Sequence, residues 1–434
     1  MGFLKHSLLL CASLLLILML MTACGQTTIP RPLATPIVTK MPPSPTLYVQ
    51  ASQGVSAVRA SDGAVLYTYP QASLFTVANG SIYLATDQEI AAFNASDDQK
   101  IWSIPNTMTV STIVATQDTV FVSLGSIGSN LLYALNSHTG MLMWRKTFDT
   151  LGSRNLAVLV SNNLPYVWYQ SGLEEFTLAQ LNPQTGDQQW ASTFPGISNI
   201  LVVKDTLIVM GPNSLVSLDE FIRGLNASNG TQEWSIDSVG GSLGNGSNSA
   251  AIELSLVSNG TLYLSLSLPS SEQYMLAAYD LNTGKQEWAV STNEEAYRIG
   301  DDDGALTDDG FFAIGGPSDG DLTARSIQNE QKLWTVPSTN TFQSISEDNG
   351  VIYVIDDQNR VDAYSAADGK LLWTYTPQDN SPVYKKMTLT FLDHTPYLVQ
   401  YHMSGDTLTS IDPAKGQPSW QTQFESISGV YSFS

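Results

Sequence analysis

Nine times in 434 residues an aromatic ring recurs a fixed step after a tight turn. The fullest copy is Ala278-Tyr279-Asp280-Leu281-Asn282-Thr283-Gly284-Lys285-Gln286-Glu287-Trp288. It reads as a strand, a turn and the start of the next strand. The Asp can hydrogen-bond the backbone two residues on, and the Gly reaches positive φ without steric cost. The Trp is too large to bury inside its own hairpin and needs a surface elsewhere. The same register returns at Tyr67, Trp102, Trp144, Trp190, Trp234, Trp288, Trp334, Trp373 and Trp420, spaced 35, 42, 46, 44, 54, 46, 39 and 47 residues apart. Eight of the nine Trp residues hold this place and only Trp168 lies outside it, so the spacing is architecture. The turn glycines are Gly63, Gly140, Gly186, Gly230, Gly284, Gly369 and Gly416; Asp98 and Glu330 stand in that place in two other units.

A second piece precedes each turn. Val77–Leu84, Val257–Leu264 and Glu347–Val354 are near copies, each with Asn-Gly set between apolar β-formers, the strongest short hairpin signal. Each unit is therefore four short strands in a meander. Four-stranded units repeating every 40–50 residues or so are the signature of a β-propeller blade. The fold predicted is all-β, a single propeller over 47–434. Nothing sheet-like precedes Leu47, and the chain ends in the alternating strand Ile427–Phe433, with no hairpin after it. Pairing that last strand with the first ones closes the ring and removes free sheet edges.

These units resemble the tryptophan-docking motif of pyrroloquinoline-quinone (PQQ)-type propeller repeats, the match covering roughly residues 46–434. The family includes quinoprotein dehydrogenases and a non-catalytic lipoprotein subunit of the bacterial outer-membrane assembly machine. The resemblance implies that Trp102, Trp144, Trp190, Trp234, Trp288, Trp334, Trp373 and Trp420 each pack on the turn of a neighbouring blade, as structure and not as catalytic groups. It also favours eight blades, against nine units counted.

Residues 1–23 read as a signal peptide: Lys5 is a minimal basic region and Leu8–Met21 an apolar run too short for a confident span. The run ends in Leu20-Met21-Thr22-Ala23-Cys24-Gly25, which resembles the lipobox of bacterial lipoproteins and implies lipidation of Cys24 and a place on the membrane, facing outward from the cytoplasm. Residues 24–46 are rich in Pro and Thr, an extended tether that at about 3.1 Å per residue reaches roughly 60 Å. Of the two cysteines, Cys11 lies in the signal and Cys24 at its end. The predicted domain thus carries no thiol for a disulfide, a thiolate metal site or a Cys nucleophile.

Lys and Arg number 19 against 40 Asp and Glu, a formal net charge of −21. Such a surface repels nucleic acid and anionic headgroups and steers cationic partners toward itself. The densest acidic stretch, Asp301–Asp321, fits no calcium-loop spacing and reads as solvated turns. His138, His394 and His402 show no metal-ligand spacing, and no nucleophile elbow or phosphate loop occurs. Quinoproteins of the resembling family hold their cofactor between a vicinal Cys-Cys ring and a Trp, beside a Ca²⁺ bound by Glu, Asn and Asp; the Cys pair is missing here. The expectation is a scaffold without cofactor, metal or catalytic residues, docking another envelope or extracellular protein. The alternatives are a PQQ-dependent enzyme, or a glycan- or small-molecule-binding module using Trp168, Tyr169 and Tyr401.

Overall fold

Alternating β-branched and aromatic residues, broken by Asn-Gly and Thr-Gly turns, leave the chain little choice but short antiparallel strands. The computed structural model describes residues 46–432 except 127–128, 151–155, 213–219, 238–250, 259, 269–272, 293–303, 307–309, 315–320, 327–330, 339 and 378–382. The signal, the tether, Cys24 and most of the 301–321 acidic stretch lie outside those residues.

Among the described residues thirty-six strands pair into nine four-stranded sheets, nine and not the eight favoured by the family resemblance. The reason is local: every unit between successive docking aromatics supplies its own four strands, even the unit at 304–336, whose first strand has three residues. Blade 1 is built from both ends of the chain, with Ile427–Ser432 as strand A and Thr46–Ala51, Gly54–Arg59 and Val65–Pro70 as strands B, C and D. Blades 2 to 9 follow as continuous meanders over 74–105, 109–148, 157–194, 199–236, 251–292, 304–336, 342–375 and 383–424. The closing pair is antiparallel, Leu47 opposite Ser432 and Val49 opposite Val430.

The core is distributed between the blades. Eight apolar clusters are described, and each joins one blade to the next. In one, Tyr166 and Phe176 of blade 4 meet Leu207 and Phe221 of blade 5; in another, Leu408 and Tyr397 of blade 9 meet Leu47 and Val58 of blade 1. Ring stability is therefore a sum of nearest-neighbour interfaces, as in other repeat architectures.

Candidate functional site: the docking girdle and the two faces

The girdle is built by one contact repeated around the ring. Trp102 Nε1 donates to the Ser137 carbonyl at 2.8 Å, Trp144 to Pro183 at 2.9 Å and Trp190 to Ala227 at 3.2 Å. Trp234 donates to Leu281 at 2.8 Å, Trp334 to Ala366 at 2.9 Å, Trp373 to Pro413 at 2.7 Å and Trp420 to Ala60 at 2.8 Å. In every case the acceptor lies three residues before the Gly of the next blade's turn. The indole face lies where a Cβ on that Gly would be: 2.6 Å separates Trp102 Cδ2 from such a Cβ at Gly140, and 2.7 Å separates Trp144 Cδ2 from one at Gly186. Trp190 likewise covers Gly230, Trp234 Gly284, Trp334 Gly369, Trp373 Gly416 and Trp420 Gly63. These glycines have φ between 65° and 74°. Trp288 is half-buried beside Tyr263, and the turn it faces by order, 327–330, lies outside the described residues.

The turn itself is held by an acceptor at the end of strand C. Asp280 Oδ1 accepts from Thr283 N at 2.8 Å and from its hydroxyl at 2.6 Å, and the Thr283 hydroxyl holds the Asp280 carboxyl below its usual range. Asn136, Asn182, Asn226 and Asp412 do the same work in other blades. One joint departs from the pattern. Between blades 1 and 2, the Tyr67 hydroxyl donates to Ser96 O at 3.3 Å, and Asp98 takes the Gly position at φ 59°. A phenol is smaller than an indole, which leaves room for the Asp98 Cβ. Burial pushes the Asp98 carboxyl up, opposed by the Tyr69 hydroxyl.

Buried charge is spent on structure. The Asp406 carboxylate accepts from His402 N at 3.1 Å and from Ile427 N at 2.6 Å, so it clips the closing strand to blade 9. Asp356 and Asp362, both nearly inaccessible, share Arg360 at 3.2 and 2.9 Å. Asp362 also accepts from the hydroxyls of Tyr364 and Thr374. None of these residues was singled out beforehand; an Asp inside an apolar strand register was the signal available. The His residues stay apart: His138 bonds Ser137, His394 bonds Asp348 at 3.0 Å, and His402 is buried. Among the described residues no three His, Cys, Asp or Glu gather as metal ligands.

The aromatics considered for ligand binding are blade residues. Trp168 sits within strand B of blade 4, packed on the blade 4–5 core; Tyr169 stacks edge-on with Phe148 at 5.1 Å; Tyr401 is buried in the blade 9–1 core. A quinone held as in the resembling enzymes needs a free indole and a Cys pair. The described docking indoles of seven blades are committed to neighbouring turns, and no Cys occurs past Cys24, so the donor set does not fit that group.

A meander gives the ring two faces. The A–B and C–D connections share one, the D–A and B–C connections the other. On the first, the strand bounds leave at most six residues per connection; on the second, the connections described throughout have two to four residues. Thr46 is opposite Arg59 and Leu47 opposite Ser432, so both ends of the paired chain meet at the A–B and C–D face.

The family model described as outer membrane protein assembly factor BamB matches residues 86–235, 175–348 and 318–430. No curated protein matches the sequence. Among solved structures, the eukaryotic initiation factor is similar over 89% of this chain and 98% of its own, at 12% identity and a TM-score of 0.60. Dihydro-heme d1 dehydrogenase NirN in complex with DHE is similar over 91% and 78%, at 10% identity and a TM-score of 0.50. BamB from Moraxella catarrhalis is similar over 75% and 92%, at 17% identity and a TM-score of 0.44. At 12% and 10% identity the first two are a likeness of fold alone.

Proposed function

This chain belongs to the family of the outer membrane protein assembly factor BamB, and from that premise we propose that it is a non-catalytic, lipid-anchored propeller of the bacterial envelope that docks another envelope or extracellular protein. The observation that carries this reading is the commitment of the described docking indoles and buried carboxylates. The indoles close joints between blades, and the buried carboxylates hold backbone amides or Arg360. What is left for recognition is the outer surface of a rigid ring, where connecting loops present side chains to a partner. Lipid on Cys24 would hold the ring at the membrane through the 24–46 tether.

Chemical cross-linking in the solubilised envelope followed by affinity capture tests the scaffold reading. A partner recovered at a fixed stoichiometry is the expected result, and its absence would sink the proposal. Titration with PQQ and Ca²⁺ is expected to leave the absorbance spectrum additive. Cys24→Ser is expected to abolish metabolic labelling with palmitate and release the protein from the membrane fraction.

A further inference from the structure

We propose that the joint between blades 1 and 2 is a hinged seam, at which the ring parts along its outer rim while its inner rim stays packed and the other described joints stay closed. This goes beyond the scaffold reading and does not depend on it. Neighbouring A strands touch, as Thr109–Ala115 does both Leu74–Ala78 and Ala157–Ser161, so A is the inner strand of each blade and D the outer. The docking rings, carried on the D strands, therefore fasten the outer rim.

Two turns make the comparison direct. Asn94-Ala95-Ser96-Asp97-Asp98 of blade 2 and Asn226-Ala227-Ser228-Asn229-Gly230 of blade 5 begin alike. In both, the Asn Oδ1 accepts from the Ser amide, at 2.8 and 3.0 Å, and from the Ser hydroxyl, at 2.7 and 2.6 Å. They differ at the last residue and in the ring that docks on them. Over Gly230 lies the Trp190 indole, whose Nε1 donates to the Ala227 carbonyl at 3.2 Å. Ser192, two residues past the indole, adds a hydroxyl to the Gly230 carbonyl at 3.2 Å. At the seam the Tyr67 phenol reaches Ser96 O at 3.3 Å, one residue past the carbonyl that corresponds to Ala227. Asp98 holds φ 59° where Gly would be unstrained, and its Oδ1 is buried with no hydrogen-bond partner. The connection from blade 1 to blade 2 is strained too. Gln71 sits there at φ 62° and lacks the short polar side chain that eases this conformation in Asn.

The inner rim of the same joint is well packed. Tyr48 meets Phe75 at 5.8 Å, Phe75 meets Tyr431 edge-on at 5.3 Å, and Gln50 Nε2 donates to Ser73 O at 2.9 Å. Those contacts supply the pivot. On its other side blade 1 is held to blade 9 by Trp420 on Ala60 O, by the Thr422 hydroxyl on the Gly63 carbonyl at 2.7 Å, and by Asp406 on Ile427 N. Blade 1 therefore stays with blade 9 when the rim parts. Left-handed strain and an unpaired buried oxygen fall together on one joint, and local openings are drawn from the least stable part of a fold.

No Cys follows Cys24, so a single introduced thiol reports one place in the ring. Ala95→Cys and Ala227→Cys, at positions 4% and 7% exposed, put thiols at matching points of the two turns. Alkylation of the folded full chain by iodoacetamide is followed by peptide mass, with thermal unfolding to show that both variants fold. The thiol at 95 is expected to react about tenfold faster, the ratio that corresponds to roughly 1.4 kcal/mol of easier opening. Hydrogen exchange of the unmodified protein gives the same comparison without a substitution, and decides it where a variant fails to fold. The amides are bonded alike, Ala95 N to Gly80 O at 2.9 Å and Ala227 N to Asp205 O at 2.8 Å. Corrected for intrinsic rates, 94–98 is expected to exchange faster than 226–230. Tyr67→Trp with Asp98→Gly, added to Ala95→Cys, converts the seam to an indole joint and is expected to slow alkylation to the rate at 227. Equal protection of the two turns would overturn the seam. A converted joint that still reacts as fast would overturn its assignment to Tyr67 and Asp98.

Discussion

At the scale of single residues, the girdle joints isolate two effects that usually travel together. Gly140 has φ 68° and lies under the Trp102 indole; Gly350 has φ 76° and nothing within 4 Å of where a Cβ would be. Gly350→Ala therefore meets only the left-handed backbone cost, about 1 kcal/mol. Gly140→Ala adds a Cβ 2.6 Å from the ring, and overpacking raises its total to about 3 kcal/mol. Urea unfolding of the two variants measures the difference; equal losses would mean that the indole contact contributes nothing. Asp98 runs the other way. It holds φ 59° without being Gly, and its Oδ1 is buried with no hydrogen-bond partner. Its carboxyl is raised by burial, so its folded pKa exceeds the unfolded one. The resulting penalty is present above the folded pKa and disappears as the pH falls through it. Asp98→Gly is accordingly expected to raise the stability at neutral pH by about 1 kcal/mol from the backbone alone, with a gain that narrows in acid. A gain that stays constant down to low pH would exclude the electrostatic part.

At the scale of elements, the closing strand depends on one carboxylate. Asp406 satisfies two buried backbone donors, His402 N and Ile427 N, the second being the first residue of the strand Ile427–Ser432. Asp406→Ala strands both amides, at a cost of about 3 kcal/mol. Hydrogen exchange is expected to speed up at 47–51 and 427–432 before the other blades are affected; a uniform change around the ring would argue against a local clip. The closing strand itself was legible in the sequence, since an alternating strand without a hairpin has nowhere to pair except at the far end of the chain. The turns were legible for a similar reason, because Asn-Gly and Asp-x-x-Thr-Gly dictate backbone geometry within four residues. What local pattern does not carry is contact between distant positions. The acceptor for Trp420 is Ala60, 360 residues away. Nor does it mark Asp406 as a clip, since its carboxylate caps an amide 21 residues on. The number of blades was in the literal repeat count; the family preference for eight was the misleading guide. Trp168, free of the docking register, is half-buried in strand B of blade 4 and packs on the blade 4–5 core.

At the scale of the whole molecule, the described interfaces are of one kind apart from the Tyr67–Ser96 joint between blades 1 and 2, and blade 1 is the one made from both ends of the paired chain. If nearest-neighbour interfaces carry the stability, moving the split from one blade to another should matter little. The geometry permits that change. Leu47 and Ser432 are directly opposite in an antiparallel pair, so a short linker can join the two ends as an ordinary hairpin connection on the A–B and C–D face. New ends can then be opened at Leu173 and Glu174, both exposed at the B–C turn of blade 4. In the permuted chain blade 1 becomes a covalent meander, and blade 4 is the one assembled from both ends. Joining strands already in register adds little loop-closure entropy, whereas opening blade 4 removes one short connection, and the two changes largely offset. The permutant is expected to keep the far-UV spectrum of the parent, unfold in one transition, and melt within about 5 °C of it, the shift expected from roughly 1–2 kcal/mol in a chain of this size. A permutant that folds only when blade 1 is again left open would show that closure at Ile427–Ser432 is a distinct nucleating event, and that the ring is not the sum of equivalent joints.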